Sequence, residues 1–499
     1  MIYVEPVRGR RIPFVGIGIG LALVLCWLAM LAVFSAGLGV YATAAGIIAI
    51  LFVLAVRWPT ASAVAFIGFM PFNRFVIMLV YHFSHSLLLT KGVQLWKEAI
   101  LGAILVRVIY DLFLTPGRKH RIVALDLLAL LFVLMSLVYL IYPGTLNGTF
   151  ISRMQGLRAD TVFVLAYFAG RGLHLNRDRV RWLVWAIIPG AIAVALVAIF
   201  QFVQPGLSNR VFESLGYSDF VHYQGDLGDA IATRSRDLPG AESLPRASSL
   251  ILGDLALAFF QAFTVSLAAA LFYVTRRTRL MVVNGAFLAL MVLTLAMTLS
   301  RSAIASTGAA IALASVAARA TGRLAVLGMI GLVAVGVILL SGYIKISTVQ
   351  AMFNVSDASS LKHVAAFDES IKTIIKYPLG RGLGTAGNIG QQEQGSAGIT
   401  NESWYLQIGT EMGILGMVVY LGLVLAVMLI ALWQFFKVED FWLRVVTLAV
   451  ATTACTMLVL GNFLHAWENT PLSIVFWIFA GIAVRARTIE TSPDFDQAR

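Results

Sequence analysis

Long apolar runs separated by short polar turns recur along the chain from Leu21 to Ile482. A helix needs roughly 20 apolar residues to cross the hydrocarbon core of a bilayer. The pattern predicts about fourteen spans, at about 12–36, 38–56, 60–81, 95–114, 122–142, 157–170, 182–204, 249–274, 280–299, 302–318, 324–341, 403–436, 441–461 and 471–484. The third contains Asn73 and Arg74 after Pro71 and reads as a broken helix; the sixth is short. The expected fold is an all-α polytopic membrane protein.

Two long polar stretches interrupt this rhythm, so the chain divides into helices over 1–204, a loop over 205–247, helices over 248–341, a loop over 342–402, and helices with a short tail over 403–499. Loops of more than about 12 to 15 residues usually carry function or are disordered. The second contains its own helical signal from Leu361 to Lys376. Val364, Phe367, Ile371, Ile374 and Ile375 recur at helical spacing opposite Lys362, Asp368, Glu369, Lys372 and Lys376, the pattern of an amphipathic helix lying on a membrane surface or over a cavity. The Gln391–Gly395 stretch, rich in glutamine and glycine, reads as a tip.

Composition agrees with the pattern. Of 499 residues 59% are hydrophobic and 12% charged, against about 45–50% and 25% in a soluble domain, which excludes a water-soluble enzyme or one on a single anchor. A net charge of +12 would suggest nucleic acid in a soluble protein; here the cations sort by side of the membrane instead. With a cytoplasmic N-terminus, strict alternation puts Arg8/Arg10/Arg11, Arg57, Arg118/Lys119/Arg121, Arg171/Arg177/Arg179/Arg181, Arg276/Arg277/Arg279, Arg319/Arg323, Lys437/Arg444 and Arg485/Arg487 inside, as the positive-inside rule requires. Both long polar stretches then face outward, and the C-terminus is cytoplasmic. Cys26 and Cys455 lie within apolar runs and no histidines have helical metal-ligand spacing, so neither a metal nor a cofactor is expected.

Polar groups at the outer ends of helices are candidates for chemistry. Arg246, where the first outer loop re-enters the membrane, can bind phosphate bidentately or simply pair with Asp254. Arg301, in the tight outer turn Ser300–Ser302, runs against the charge rule, although a snorkelling arginine needs no ligand. In the segment Tyr377–Gly384, glycines at alternate positions around Arg381 let backbone approach an anion or make a plain turn. Asn401 can cap the helix that follows and Glu402 suits its first turn; alternatively Glu402 is a general base beside Trp404 and Tyr405, whose ring faces can stack on sugars.

The order of Arg246, Thr298–Ala303, Lys376–Gly384, Glu402–Gln407 and Glu411–Gly416 resembles the superfamily of O-antigen ligases and of O-antigen and exopolysaccharide polymerases, bacterial inner-membrane transferases of lipid-linked glycans. The resemblance implies a GT-C-like bundle and a metal-independent, inverting glycosyltransferase. It also implies a donor glycan on undecaprenyl pyrophosphate, reacting on the periplasmic face among membrane lipids, with a flippase and a chain-length regulator as partners and no nucleic acid. Arg246 matches a position that holds the departing pyrophosphate, with Arg301, Lys362 and Arg381 nearby. Ligases typically carry His-Asn where this chain has Asn401 and Glu402. That departure favours a polymerase with Glu402 as base, His363 as alternative base and Asn401, Trp404 and Tyr405 on the glycan; a ligase acting on lipid A-core is the second reading. A flippase or transporter is the competing class, but the paired repeats typical of transporters are not visible.

Overall fold

The computed structural model describes residues 38–114, 122–141, 149–223, 234–236, 244–323, 358–387, 389–390, 401, 403–493 and 495. The expected first and eleventh spans and the Gln391–Gly395 tip lie outside them. Among the described residues the chain is helical apart from loops and one antiparallel pair of strands, Arg234–Arg236 with Leu244–Arg246.

Among the described residues seven helices are long and apolar enough to cross a membrane: Pro59–Ser84, Ala124–Ile141, Arg177–Val203, Asp254–Val274, Thr278–Ala296, Trp404–Lys437 and Phe441–Leu460. Shorter apolar helices are Ala44–Arg57, Val162–Gly172, Arg301–Ala317 and Pro471–Val484. The molecule is an all-α polytopic membrane protein. The expected fourth span forms the helix Trp96–Leu114, but it carries Lys97, Glu98, Arg107 and Asp111.

Helix Asp254–Val274 is the centre of the bundle, buried on every side from Leu257 to Tyr273. A helix apolar all round belongs in such a position. Peripheral helices instead expose leucine and valine: Leu127, Leu130, Leu134 and Val138 on one, Val282, Val283 and Leu293 on another. Those faces suit lipid. Helices Val162–Gly172 and Thr470–Val484 approach most closely at two glycines. A Cβ on Gly170 would stand 2.0 Å from the Ile478 carbonyl oxygen, and one on Gly481 2.2 Å from that of Tyr167. Membrane helices use small residues for such contacts, since no hydrophobic force draws them together in lipid.

The third span is broken as expected. A 3-10 turn at Met70–Phe72 carries Pro71, whose ring nests against Gly190; the buried Trp96 indole N–H donates to the Asn73 side-chain oxygen at 2.8 Å just after the break. Two expectations need correction. The sixth span, expected over 157–170, begins in the last turn of a polar helix, Phe150–Asp160, which carries Arg153, Arg158 and Asp160, and continues as the separate apolar helix Val162–Gly172. The stretch after Val203 is not a plain loop: helices Pro205–Ser214 and Tyr217–Tyr223 meet at Gly216 (φ 79°) and bury Phe212, Tyr217 and Phe220 against Ile77, Met78 and Leu252.

Basic residues gather at one end of the bundle. Arg171 grips Asp126 in a bidentate pair (2.9 and 2.8 Å), Arg177 pairs with Asp440 at 2.8 Å, and Arg323 donates to the carbonyls of Phe272, Tyr273 and Thr275. Arg246, at the end of its strand, and the helix starts at Arg301 and Trp404 lie at the opposite end.

Candidate active site

At about 1.5 Å per residue the 34-residue helix Trp404–Lys437 is about 51 Å long, more than a bilayer core of roughly 30 Å needs. Gly413 breaks it with φ 73° and ψ −177°. At the break the Ile414 N–H leaves Thr410 and donates to the Pro378 carbonyl at 3.0 Å. The Thr410 carbonyl, released from the helix ladder, accepts from the Arg381 N–H (2.8 Å) and that of Glu411 from Gly382 (3.0 Å). The glycine-rich segment thus completes the hydrogen bonding of a kinked helix.

Its glycines are required by packing. Gly380, Gly384 and Gly387 have φ of 82°, 72° and 64°. A Cβ at each would stand 2.4 Å from the Glu411 carbonyl, the Ser152 carbonyl and the Gln407 side-chain oxygen respectively. The loop is wedged between helix Phe150–Asp160 and the kinked helix. On it Arg381 is 8% exposed, and its Nε finds no hydrogen-bond partner among the described residues. Burial pulls this guanidinium below its usual pKa, opposed by Tyr377 and Glu369.

Under the loop Glu411, which opens one of the segments carrying the resemblance, pairs with Asp160, a partner that sequence reasoning missed. The Glu411 carboxylate accepts from the Ala386 N–H at 3.0 Å, and the Gln407 amide donates to Asp160 at 3.3 Å. Both acids are buried, side by side. A buried carboxyl beside another acid resists ionisation. Burial first, then the neighbouring Glu411, pushes the Asp160 carboxyl well above the usual carboxylate range.

Asn401 sits on the same turn. Its amide donates to the Thr410 hydroxyl at 3.2 Å and its oxygen accepts from Ser370, which ties the amphipathic helix Ala358–Lys376 to the kinked helix. Ser403, not Asn401, caps the helix, accepting from the Leu406 N–H at 3.4 Å, and its hydroxyl donates to Gly461. Glu402 and the side chains of Lys362 and His363 lie outside the described residues. Trp404 and Tyr405 are 0% and 2% exposed. Their rings pack against Tyr420, that of Trp404 also against Phe163, and the Tyr405 hydroxyl donates to the Met457 carbonyl, so the sugar-stacking faces expected from sequence are covered.

A second group forms around the turn that precedes Arg301. Arg246 pairs with Asp254 at 2.6 Å, the bland partner expected from sequence, and its Nε donates to the Thr298 carbonyl at 3.0 Å. The Ala247 N–H donates to Met297, so the two segments are sewn together. Half-buried Arg301 opens its helix just beyond Leu299, one of three non-glycine residues here with left-handed backbone; the others are Ser249 (φ 52°) and Leu252 (φ 55°). Strain of this kind clusters at functional sites. Gln201 accepts from the Ser248 and Ser249 N–H groups at 2.9 and 2.7 Å, holding the re-entry turn. Sequence reading gave Gln201 no role, nor the cations Lys97 and Arg158 around Glu98. An ionisable residue within an apolar run was the signal available for Lys97.

The two groups share one end of the bundle. Helices Arg301–Ala317 and Trp404–Lys437 both pack on Phe441–Leu460, and the Gly461 carbonyl at its end accepts from the Trp404 N–H at 2.8 Å.

Residues 286–421 match the family model described as O-antigen ligase. The resemblance to the O-antigen ligase and polymerase superfamily is real. The matched segment begins in helix Thr278–Ala296 and ends beyond the kink, enclosing Arg301, Arg381, Asn401, Glu402 and Glu411. Arg246 and Asp160 lie before it and meet it through Thr298 and Gln407. No curated protein matches the chain.

Proposed function

We propose that the protein polymerises oligosaccharide repeats carried on undecaprenyl pyrophosphate into exopolysaccharide, capsule or O-antigen on the outer face of the bacterial inner membrane. The observation that carries this reading is Thr410. Its carbonyl takes the Arg381 N–H and its hydroxyl the Asn401 amide, bringing a buried guanidinium and the residue before Glu402 to one turn inside the O-antigen ligase segment.

In the reaction Glu402 accepts the proton of an acceptor hydroxyl, and the oxygen attacks the anomeric carbon. The carbon–oxygen bond to the pyrophosphate breaks with inversion, leaving its electron pair on the phosphate oxygen. Negative charge then builds on the leaving group, and fixed cations in a water-poor site stabilise it best. Arg246, Arg301 and Arg381 supply them without a divalent metal, with Lys362 as a further cation and His363 as the alternative base. Asp254 holds Arg246 in place through its 2.6 Å ion pair. Asn401, buried and bonded to Thr410 and Ser370, fixes the segment that leads into Glu402 instead of touching the glycan as expected from sequence.

Glu402→Gln is expected to abolish polymer while leaving the protein folded in the membrane; normal polymer from that variant removes Glu402 from the mechanism. The second reading, transfer of the glycan to lipid A-core, is favoured by the family description itself. Asn401 and Glu402 in place of the ligases' His-Asn favour the polymerase.

A further inference from the structure

At the end of the bundle remote from this site lies a cleft of about 1180 Å³ that the proposed glycan chemistry does not use. Six arginines line it, Arg177, Arg276, Arg277, Arg319, Arg323 and Arg444, against one carboxylate, Glu439. Topogenesis alone places arginines near the inner ends of helices. It does not require arginines from four separate segments to converge on one concavity.

The acids near the cleft are already engaged. Asp440 pairs with Arg177 and accepts from the Trp442 and Leu443 N–H groups, while Glu490 takes the Glu439 and Asp440 N–H groups and pairs with Arg487. Arg323 is fixed by three carbonyls and Arg444 stands 4.6 Å over the Phe435 ring, facing the like charge of Arg276. Arg276, Arg277 and Arg319 are exposed and carry no side-chain hydrogen bond or ion pair among the described residues. Arg319 also sits in left-handed backbone (φ 51°) just past the end of helix Arg301–Ala317, where glycine is the usual residue. A long cation at a position that disfavours any side chain indicates that its charge is wanted there.

The remaining lining is apolar, including Leu280, Phe441 and Trp442. From Leu280 the exposed residues Val282, Val283 and Leu293 continue along the bundle, a track for acyl chains leading away from the cations. Arginine forks suit phosphate oxygens, and basic pockets between membrane helices on the cytoplasmic side suit anionic headgroups. We propose that this cleft binds the phosphate headgroup of an anionic membrane lipid, clamping together the turns at 275–278, 318–323 and 438–441. The inference stands apart from the glycan reading and needs only the membrane-spanning fold.

The test is native mass spectrometry of the whole protein in mild detergent with cardiolipin, phosphatidylglycerol, phosphatidylcholine or inorganic pyrophosphate. The anionic lipids are expected to be retained and phosphatidylcholine lost. Arg276→Gln combined with Arg277→Gln should weaken anionic-lipid retention by roughly tenfold or more, at about 1 kcal/mol per cation. Arg279 remains to orient the turn. Arg319→Gly guards against misfolding, because it removes a cation and relieves the backbone together. It should weaken lipid binding several-fold while the lipid-free melting temperature holds or rises. Equal retention of phosphatidylcholine, or undiminished binding in both variants, overturns the proposal. Pyrophosphate that binds through the same arginines and displaces the lipid assigns the cleft to a soluble phosphate and overturns the lipid assignment.

Discussion

Arg381 is a buried cation whose Nε has no hydrogen-bond partner among the described residues, on a loop tied to the kinked helix through the Arg381 and Gly382 N–H groups and the Pro378 carbonyl. Removing its side chain therefore leaves the loop's hydrogen bonds intact. Arg381→Ala should lower glycan transfer by about 10²- to 10³-fold, the usual loss for one group stabilising developing charge, with little change in melting temperature. Equal losses of activity and stability would make the residue structural. Asp160 gives a prediction of opposite kind. Its pKa is raised in the folded state by burial and by Glu411, so the folded protein keeps this proton to higher pH than the unfolded chain does. The stability from that proton is complete below the ordinary carboxylate pKa and is lost as pH rises through the raised one. The melting temperature in detergent should fall as pH is taken from about 5 upward, and Asp160→Asn should flatten the dependence. At this scale the cations were legible, because a charge in an outer turn of an apolar chain stands out. The acid pair was not, because Gln407 meets Asp160 across 247 residues and nothing local to either announces the other.

Among the elements, the kinked helix does most to assemble the site. Gly413 has φ 73°, and a Cβ there would stand 2.3 Å from the Pro378 carbonyl oxygen. Gly413→Ala should therefore both strain the turn and push the glycine loop away, lowering the melting temperature and reducing transfer together. Gly481→Ala, in the contact of helices Val162–Gly172 and Thr470–Val484, should lower stability by forcing those helices apart; differential scanning fluorimetry distinguishes it from surface alanines, which should change little. Helix positions were legible from hydropathy since lipid-facing and core residues are alike apolar. The role of the glycines was not, because the same residues that let backbone approach an anion let it approach another helix. The amphipathic helix was foreseen over Leu361–Lys376 and forms over Ala358–Lys376. The small helices after Val203 were hidden by their polar composition.

Across the whole molecule, the charged groups separate to opposite ends: one end holds Arg246, Arg301, Arg381 and Asn401, and the other collects the basic turns. The alternation of charge along the chain made this polarity legible, since adding or losing a span would have scattered those turns. Single cysteines at the exposed positions Ser214 and Thr321 test it. An impermeant maleimide applied to spheroplasts should label Ser214→Cys at once and Thr321→Cys only after the membrane is opened; the reverse would invert the protein. The central claim is tested most directly by reconstituting the purified protein in liposomes with its lipid-linked repeat unit and resolving the products by gel and mass spectrometry. A ladder of glycan lengths, formed without metal and absent with Glu402→Gln, is the predicted result. Transfer that occurs only after lipid A-core is added, or movement of the lipid across the bilayer with no new glycosidic bond, would contradict it.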